Sequence, residues 1–500
     1  MRILCAARVA ALFLFWSSIA VAQTVTLSAQ DGSLALEGRV LGFDGRYFRL
    51  ETVYGEVTVD GDAMICAGGG CPTPSAPMIR VRISGAASAT SVLLPALVEG
   101  FALRNGYAFA RVTEDATHFS YTLVDGSDGT SLIDIGFRVS SSGEGFADLI
   151  VDEADLVASL RPIRPGEAQL EEEAGRGDLT QPGQAKVLAL DAIVPVVSTE
   201  SALTEITLPF LIAAFSDPQS KTPVHTLARG SGVVELFSDR ALQTEGLSLA
   251  PQIVFHQTSA ALKEALLGDP NAIGLIALSE ASGLRTLTLS GSCPTPYDTL
   301  LTTLKSGDYP LVAPIYLYRP MRRLPPIMKD FMAYLETPAA QVVVQRAGFV
   351  DQAPDLIPLT AQGGRLAGAI EQAGAEVPLP ELKNIVTALA GYQRLSLSLR
   401  FETDGETLTP ISRAALDRFA KQIAQGAYAG RPLLVTGHTG LDGAFAESKD
   451  ASLVLAETVR KALPATQEVE VLGAGDALPS ACETTTLGRT QNHRVEIWVK

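Results

Sequence analysis

The sequence predicts an α/β protein built from several domains. Its 500 residues exceed the roughly 250 to 300 residues at which a single hydrophobic core stops growing. From Ile79 to about Phe349, short apolar stretches suited to buried strands alternate with helical patterns, as they do in an α/β body. The pattern changes before Ile79 and again after Tyr392, which indicates additional domains at both ends.

The first 22 residues have the pattern of a cleavable signal peptide. Positive charge and an apolar run over residues 9–16 precede Ala20-Val21-Ala22, a small-residue cleavage site. We therefore expect an exported, soluble mature chain that begins at Gln23. Retention as a membrane anchor is the alternative, but Ser17 interrupts the about 20 apolar residues that a spanning helix needs.

Composition and motifs argue against several functions. The net charge of −16 disfavours nucleic acid, whose phosphates require a basic face. The five histidines are scattered and form no HExxH or paired metal motif, and the sequence contains no Gly-x-Ser-x-Gly, Walker or Gly-x-Gly-x-x-Gly phrase. We predict a protein that is not an enzyme and that has no catalytic residues, cofactor or metal.

Four cysteines remain after the signal, and export permits disulfides. Cys66 and Cys71 enclose a short glycine-rich loop, so we predict that they form a local disulfide. A metal site is the alternative, but no histidine lies near them in sequence. Cys293 and Cys482 are either two free buried thiols or an interdomain bridge, and the sequence leaves both open.

The predicted domains follow from these changes of pattern. Alternating residues and Gly-containing turns after Thr24 predict a small β-meander, and the last hundred residues alternate strands and helices around a face formed by Leu395, Leu397 and Leu399. The boundaries are a signal peptide over 1–22, a β domain over 23–77, a two-lobed body over 78–353, a helical connector over 354–392, and an α/β sandwich over 393–500.

An ordered series of phrases in the body resembles phosphate-type substrate-binding proteins of ABC importers. The phrases are Ile83-Ser84-Gly85-Ala86, Ser140-Ser141-Ser142-Gly143, Asp155 to Pro162, Ala189 to Val194, Gly230-Ser231-Gly232, Ala272 to Leu275, and Tyr309-Pro310-Leu311. The resemblance implies a type 2 periplasmic-binding-protein fold that binds phosphate or another small oxyanion and has an ABC permease as a possible partner.

The chemistry of these phrases is consistent with oxyanion binding. A Gly or Ser turn that opens a helix presents free backbone N–H groups and the positive end of the helix dipole. The candidate ligand-binding residues are Ser88, Ser141, Ser142, Arg161, Arg229, Ser231 and Gly232. The alternative is that the serines are helix caps and that both arginines are surface residues.

The body also departs from the phosphate binders at three positions. Leu160 stands where the family carries an aspartate, Leu227 where it carries an arginine, and Val233 where it carries a threonine. Arg161 and Arg229 are close enough in sequence to substitute as charge partners. The departures leave the identity of the oxyanion open, and they leave open the absence of any ligand.

The C-terminal unit resembles the OmpA-like peptidoglycan-associated domain. The resemblance is carried by Gly437-His438-Thr439, Gly443 and Asn492 to Ile497, and it implies a site that includes His438, Thr439, Asp442, Asn492 and Arg494. Gly440 and Leu455 replace the Asp and Arg with which the family holds a stem-peptide carboxylate. Asp442 and Arg460 are the candidate replacements. The alternative is a module that packs on the body or on a partner protein.

Two functions therefore compete at this point. The first is a periplasmic solute-binding protein of a Gram-negative bacterium, associated with the outer membrane or peptidoglycan through its OmpA-like domain. The second is an envelope scaffold or adaptor whose binding fold has lost its solute.

Overall fold

The computed structural model describes residues 24–43, 47–71, 79–290, 297–373, 377–402, 405–440, 443–481 and 486–500. The chain divides into two compact units, Met1–Ile79 and Arg80–Lys500. The expected signal peptide, the cleavage point before Gln23, Cys293, Cys482 and Asp442 lie outside the described residues.

The first unit is a five-stranded antiparallel sheet. Its strands are β1 (Thr24–Ala29), β2 (Ala35–Phe43), β3 (Tyr47–Thr52), β4 (Gly55–Asp60) and β5 (Met64–Ala67). They lie in the order β4-β3-β2-β1-β5, so β1 to β4 form the predicted meander and β5 returns to pair with β1. Val25, Leu27, Phe48 and Leu50 are buried as its core. Cys66 and Cys71 form a disulfide, as expected, with their Cα atoms 5.9 Å apart.

The body opens the second unit and alternates strands with helices, as predicted. Its elements are β6 (Arg80–Ala86), a wide helical turn over Ala89–Leu93 that continues into α1 (Leu94–Asn105), β7 (Tyr107–Thr113), β8 (His118–Asp125), β9 (Ser131–Ser140), α2 (Ser142–Ile150), β10 (Leu156–Ser159), α3 (Pro165–Glu173), β11 (Ala185–Val197), β12 (Glu205–Thr207), α4 (Leu208–Ser216), β13 (Val224–Leu227), α5 (Gly232–Phe237), β14 (Val254–His256), α6 (Ser259–Leu267), β15 (Ile273–Ala277), β16 (Arg285–Thr286), β17 (Thr288–Ser290), α7 (Leu301–Lys305), β18 (Val312–Tyr318), α8 (Pro326–Tyr334) and α9 (Pro338–Arg346).

Two long strands connect two lobes of the body. The main sheet has the order β14-β13-β15-β11-β18-β10-β6-β9-β8-β7. The last residues of β18 pair with β10 on one side and with the first residues of β11 on the other. The opposite end of β11 pairs with β15. We define the first lobe as β6 to β10 with α1 to α3, α8 and α9, and the second lobe as β12 to β17 with α4 to α7. The near-continuous apolar sequence of β11 reflects burial on both faces of the sheet.

The C-terminal part of the second unit is an α/β sandwich. Its elements are β19 (Leu356–Pro358), α10 (Gly363–Gln372), α11 (Leu379–Leu389), β20 (Gln393–Arg400), α12 (Pro410–Ala424), β21 (Leu433–His438), α13 (Phe445–Ala462), β22 (Val469–Gly473), α14 (Thr486–Asn492) and β23 (Arg494–Val499). The sheet order is β19-β20-β23-β21-β22. The alternating Leu395, Leu397 and Leu399 share a core with α12 and α13 on one face of the sheet, as predicted.

The predicted connector is part of this sandwich. It contains the expected helices, α10 and α11, but Leu382, Ile385 and Leu389 pack against Trp498 on the second face of the sheet. Strand β19 also pairs with β20. The sequence shows helical periodicity in this segment but does not show which sheet the helices cover.

Ion pairs and hydrogen bonds hold the sandwich against the second lobe. Arg394 on β20 donates to both carboxylate oxygens of Asp308 at 2.7 and 3.0 Å. Arg400 donates to the carbonyl oxygens of Ser306 and Gly307. No described helix is long and apolar enough to cross a membrane.

Candidate functional site

The first-lobe turns that the sequence singled out lie at one edge of the sheet. Strands β6, β9 and β10 are parallel, with Ala86 opposite Ser140 and Gly85 opposite Ala158. Their carboxyl ends therefore meet, and the turns that follow them lie side by side. Ligands commonly bind at this edge of an α/β sheet.

Glycine is required at the end of β6. Gly85 has a φ of +140°, and a Cβ atom at this position would lie 1.9 Å from the carbonyl oxygen of Ala158. The neighbouring strand therefore leaves no room for a side chain. This close approach explains the glycine in the phrase Ile83-Ser84-Gly85-Ala86.

Ser88 lies in the first helical turn after β6. Its side chain is buried, and its hydroxyl has no hydrogen-bond partner among the described residues. A buried hydroxyl without a partner is destabilising, and such groups are uncommon in folded proteins. Ser91, three residues further along, instead donates to the carbonyl oxygen of Ala87. Ser88 is thus an open hydrogen-bonding group at the start of a helix.

The two serines before α2 have different roles. Ser141 is the N-cap, and its hydroxyl accepts from the backbone N–H of Glu144 at 3.1 Å in a capping box. Ser142 is fully buried, and its hydroxyl accepts from the backbone N–H of Leu160 at 3.2 Å. Ser141 therefore behaves as the cap that the sequence left as an alternative, and Ser142 connects α2 to Leu160.

The second lobe contributes the turn before α5. Ser231 caps this helix by accepting from the backbone N–H of Val234. A Cβ atom added to Gly232 would lie 2.9 Å from Cβ of Leu160. Leu160, from the first lobe, thus packs directly on the N-terminus of α5. The turn before α5 thus contacts the first lobe, and an apolar side chain occupies the point of contact.

Arg161 is buried in the centre of an ion-pair network. It donates to both oxygens of Glu167 at 2.7 Å and to Oε2 of Glu235 at 3.1 Å. Burial opposes its charge, but the bonds to both glutamates hold the pKa of Arg161 above its usual value. Arg161 is therefore neither a surface residue nor a cation that is free to hold an anion.

The same network joins the two lobes. Arg164 pairs with Asp239 at 2.9 Å and with Glu235 at 3.4 Å. Arg161, Arg164 and Glu167 belong to the first lobe, whereas Glu235 and Asp239 follow the turn before α5. The three acids outnumber the two arginines, so this interlobe latch, as we call these five residues, has no excess positive charge.

Arg229 lies outside the latch. It is exposed, and its guanidinium lies 4.5 Å from the ring centroid of Phe255 on β14. No contact joins it to Ser88, Ser142 or Arg161 in the described part of the chain.

Sequence reasoning did not identify Glu167, Arg164, Glu235 or Asp239. Glutamates in the first turns of α3 and α5 are visible in the sequence, but acids are common in first turns because they favour the helix dipole. Their pairing with Arg161 depends on the approach of two lobes.

Four of the five candidate residues of the OmpA-like resemblance lie in the interior of the sandwich: His438, Thr439, Asn492 and Arg494. His438 contacts the Thr436 hydroxyl at 2.9 Å, and Oδ1 of Asn492 accepts from the backbone N–H groups of Ser480 and Ala481. Thr439 is buried and donates to the carbonyl oxygen of Ser448. All three side chains are buried, and the partners named here belong to the sandwich itself.

Arg494 belongs to a buried group of charges. It pairs with Glu496 at 2.6 Å, and Arg365 and Arg394 also contact Glu496. Burial opposes ionisation of Glu496, yet these arginines hold its pKa well below the usual range. Burial in turn lowers the pKa of Arg494 to about 9.

Leu455 and Arg460, both on α13, lie in different surroundings. Leu455 is 5% exposed and packs in the core between α13 and the sheet. Arg460 pairs with Glu457 at 2.7 Å on the surface of α13. Of the two candidate replacements, Arg460 is thus paired within its own helix, and Asp442 lies outside the described residues. In the described part of the chain, no group of three or more His, Cys, Asp or Glu residues is placed to hold a metal ion.

A family model described as the PBP superfamily domain matches residues 61–338. The chain belongs to this family. The match covers more than half of the chain and ends at the first residue of α9, so it includes the second lobe, both crossing strands and most of the first lobe. The periplasmic-binding-protein fold supports a solute-binding role. No curated protein matches the chain.

Solved structures with similar folds include phosphate receptors. The chain is 16% identical to an ABC-type phosphate transport receptor from Vibrio cholerae, over 54% of this chain and 99% of the receptor, with a TM-score of 0.39. It is 17% identical to PstS from Borrelia burgdorferi, over 54% of this chain and 98% of that protein, with a TM-score of 0.35.

Proposed function

We propose that this protein is a periplasmic solute-binding protein that binds phosphate or another small oxyanion between its two lobes. The proposal is carried by the convergence of helix starts from both lobes around Leu160, with the unpartnered Ser88 hydroxyl at the same sheet edge. Helix N-termini and hydroxyl donors are suited to an oxyanion. Membership of the binding-protein family supports the same role. In this function the protein has no catalytic residue and delivers its solute to an ABC permease.

In this proposal the interlobe latch competes with the ligand. Gly143, in the first turn of α2, lies beside the latch, because a Cβ atom there would be 3.5 Å from Nη2 of Arg161. An oxyanion at the α2 N-terminus thus lies within reach of the same guanidinium. Glu235 occupies one side of this guanidinium in the structure, so binding requires Arg161 to exchange Glu235 for the ligand. The exchange reduces affinity by the free energy of the pair that it breaks.

The C-terminal sandwich provides the envelope association in this proposal. Its helices α12 and α13 on one face of the sheet, and the phrases around His438 and Asn492, support an OmpA-like domain. The interior position of these side chains supports peptidoglycan binding that is weak or routed through other residues.

The experiment measures the binding of phosphate and of sulfate to the mature protein, by isothermal titration calorimetry and by thermal unfolding. A ligand of the native state raises the unfolding temperature. We expect Ser88→Ala to weaken binding by about 1 to 3 kcal/mol, the cost of a lost hydrogen bond to a charged group. The unliganded protein should not be destabilised, because no described partner of the hydroxyl is lost.

Ser91→Ala is the matched control, because this hydroxyl lies three residues away and is bonded to its own helix. It should leave anion binding unchanged. Glu235→Gln should strengthen binding, since it leaves Arg161 with a single carboxylate partner. An anion affinity that is the same in the wild type, in Ser88→Ala and in Glu235→Gln would place the anion site elsewhere.

A second candidate function is an envelope scaffold whose cleft binds no solute. It is favoured by Leu160, which packs on the α5 N-terminus, and by the two carboxylates that neutralise Arg161. This function replaces the first if no tested oxyanion gives a binding heat or raises the unfolding temperature, both in the wild type and in Glu235→Gln.

A further inference from the structure

A cavity of about 690 Å³ lies between the body and the C-terminal sandwich. One wall comes from the first-lobe helices α8 and α9, from the first residues of β11 and from Arg319, which directly follows β18. The other wall comes from α12, through Ala414, Asp417, Arg418, Lys421 and Gln422. Cavities of roughly 300 to 1,000 Å³ hold small organic ligands. This cavity is separate from the interlobe latch, since none of the five latch residues lines it.

The charge of the cavity is opposite in sign to that of the protein. Five basic residues line it, Lys186, Arg319, Lys329, Arg418 and Lys421, with three acidic residues, Glu336, Asp351 and Asp417. The chain as a whole carries a net charge of −16. Asp351 contributes little negative charge to the cavity, because Lys305, which does not line it, pairs with Asp351 at 2.9 Å.

Arg418 is the central cation of this wall. Its guanidinium donates to the side-chain oxygen of Gln352 at 2.6 Å, and in the described part of the chain no carboxylate lies within ion-pair distance of it. Burial lowers the pKa of Arg418, opposed by the nearby charges of Glu336 and Asp417. Lys421 lies three residues further along α12, and residues at this spacing share a helix face. Arg418 and Lys421 thus present two positive charges side by side.

The opposite wall contains both apolar and charged side chains. Its apolar residues are Leu324 and Leu335, which are almost fully buried, together with Met332, Pro338 and Val342. Lys186, Arg319, Lys329 and Glu336 also line it. A ligand in the cavity therefore meets the two cations of α12 on one side and apolar side chains, with further charges, on the other. An organic anion has an apolar part to place against these side chains, and a bare inorganic anion has none.

We propose that this cavity binds an amphipathic organic anion, with its acidic group at Arg418 and Lys421 and its apolar part against Met332 and Val342. A carboxylate, sulfonate or phosphate group accepts two N–H bonds from a guanidinium in one plane. The site is assembled from the body and the sandwich together, so it exists only where the two are joined.

The test uses the mature full-length protein and the fluorescent probe anilinonaphthalene sulfonate, which joins a sulfonate to an aromatic body. We expect saturable binding at one site. Arg418→Gln should reduce the affinity about tenfold or more, the usual effect of losing a charged hydrogen-bond partner. The neutral probe phenylnaphthylamine should bind the wild type and Arg418→Gln equally.

Arg413→Gln is the matched control, because Arg413 lies on the same helix but does not line the cavity. It should leave the affinity for the sulfonate unchanged. Equal affinity of Arg418→Gln and wild type, or equal losses in Arg413→Gln and Arg418→Gln, would overturn the proposal.

A second variant decides the matter if Arg418→Gln is unstable. Val342 is 46% exposed, so Val342→Trp has room to fold while its indole fills part of the cavity. It should abolish sulfonate binding with Arg418 intact, and unchanged binding would overturn the site. Phosphate should not compete with the probe, and this result separates the cavity from the oxyanion site between the lobes.

Discussion

Glu235→Gln tests whether the interlobe latch holds the two lobes together. The substitution keeps the size of the side chain and one acceptor oxygen but removes the negative charge. Arg161, which is 1% exposed, then keeps Glu167 as its one carboxylate partner among the described residues, through two bonds that are both 2.7 Å long. Arg164 keeps its pair with Asp239.

The expected destabilisation is about 1.5 to 3 kcal/mol, the range for a lost hydrogen bond to a charged group. It should stay below the roughly 3 to 5 kcal/mol that follows when a buried charge loses its only partner, because Glu167 remains. Glu457→Gln is the control. Its pair with Arg460 is on the surface, and such pairs contribute about 0 to 1 kcal/mol.

Urea unfolding of the mature protein, followed by circular dichroism and tryptophan fluorescence, measures the difference. The two probes must give coincident transitions before a free energy is assigned, since a chain of several domains need not unfold in one step. An unfolding midpoint for Glu235→Gln that equals the wild-type value would refute the latch as a stabilising contact between the lobes.

The remaining predictions concern stability. Leu455→Arg, the change that would restore the family's arginine, should destabilise the sandwich by more than about 4 kcal/mol, because it removes a core side chain and buries a charge. Val454→Arg, at the exposed neighbouring position, should be nearly neutral, and equal thermal unfolding of the two variants would contradict this core. Burial raises the pKa of Glu171 to about 8, so the native state holds a proton that the unfolded state has released above about pH 5. Stability should therefore fall between about pH 5 and 8, by at most about 1.4 kcal/mol per pH unit, and a Glu171→Gln protein with the wild-type pH slope would show that this carboxyl is not responsible.

The sequence by itself determined the order and type of the elements. Alternating Leu395, Leu397 and Leu399 predict a strand with one buried face, and the apolar run from Val187 predicts a strand buried on both faces. These features depend on periodicity, which short stretches of sequence encode.

Only the tertiary structure decided what the candidate residues contact. Arg161 reads as a free cation in the sequence, but Glu235, 74 residues away, lies beside its guanidinium. The OmpA-like resemblance implies a binding site that includes Arg494 and Asn492, but the sandwich buries both. The cavity beside Arg418 has no sequence signal, since its lining comes from three segments that are spread over more than two hundred residues. Charge pairing, burial and cavity shape all arise where distant segments meet, and the free energy of a buried charge depends on partners that no local pattern specifies.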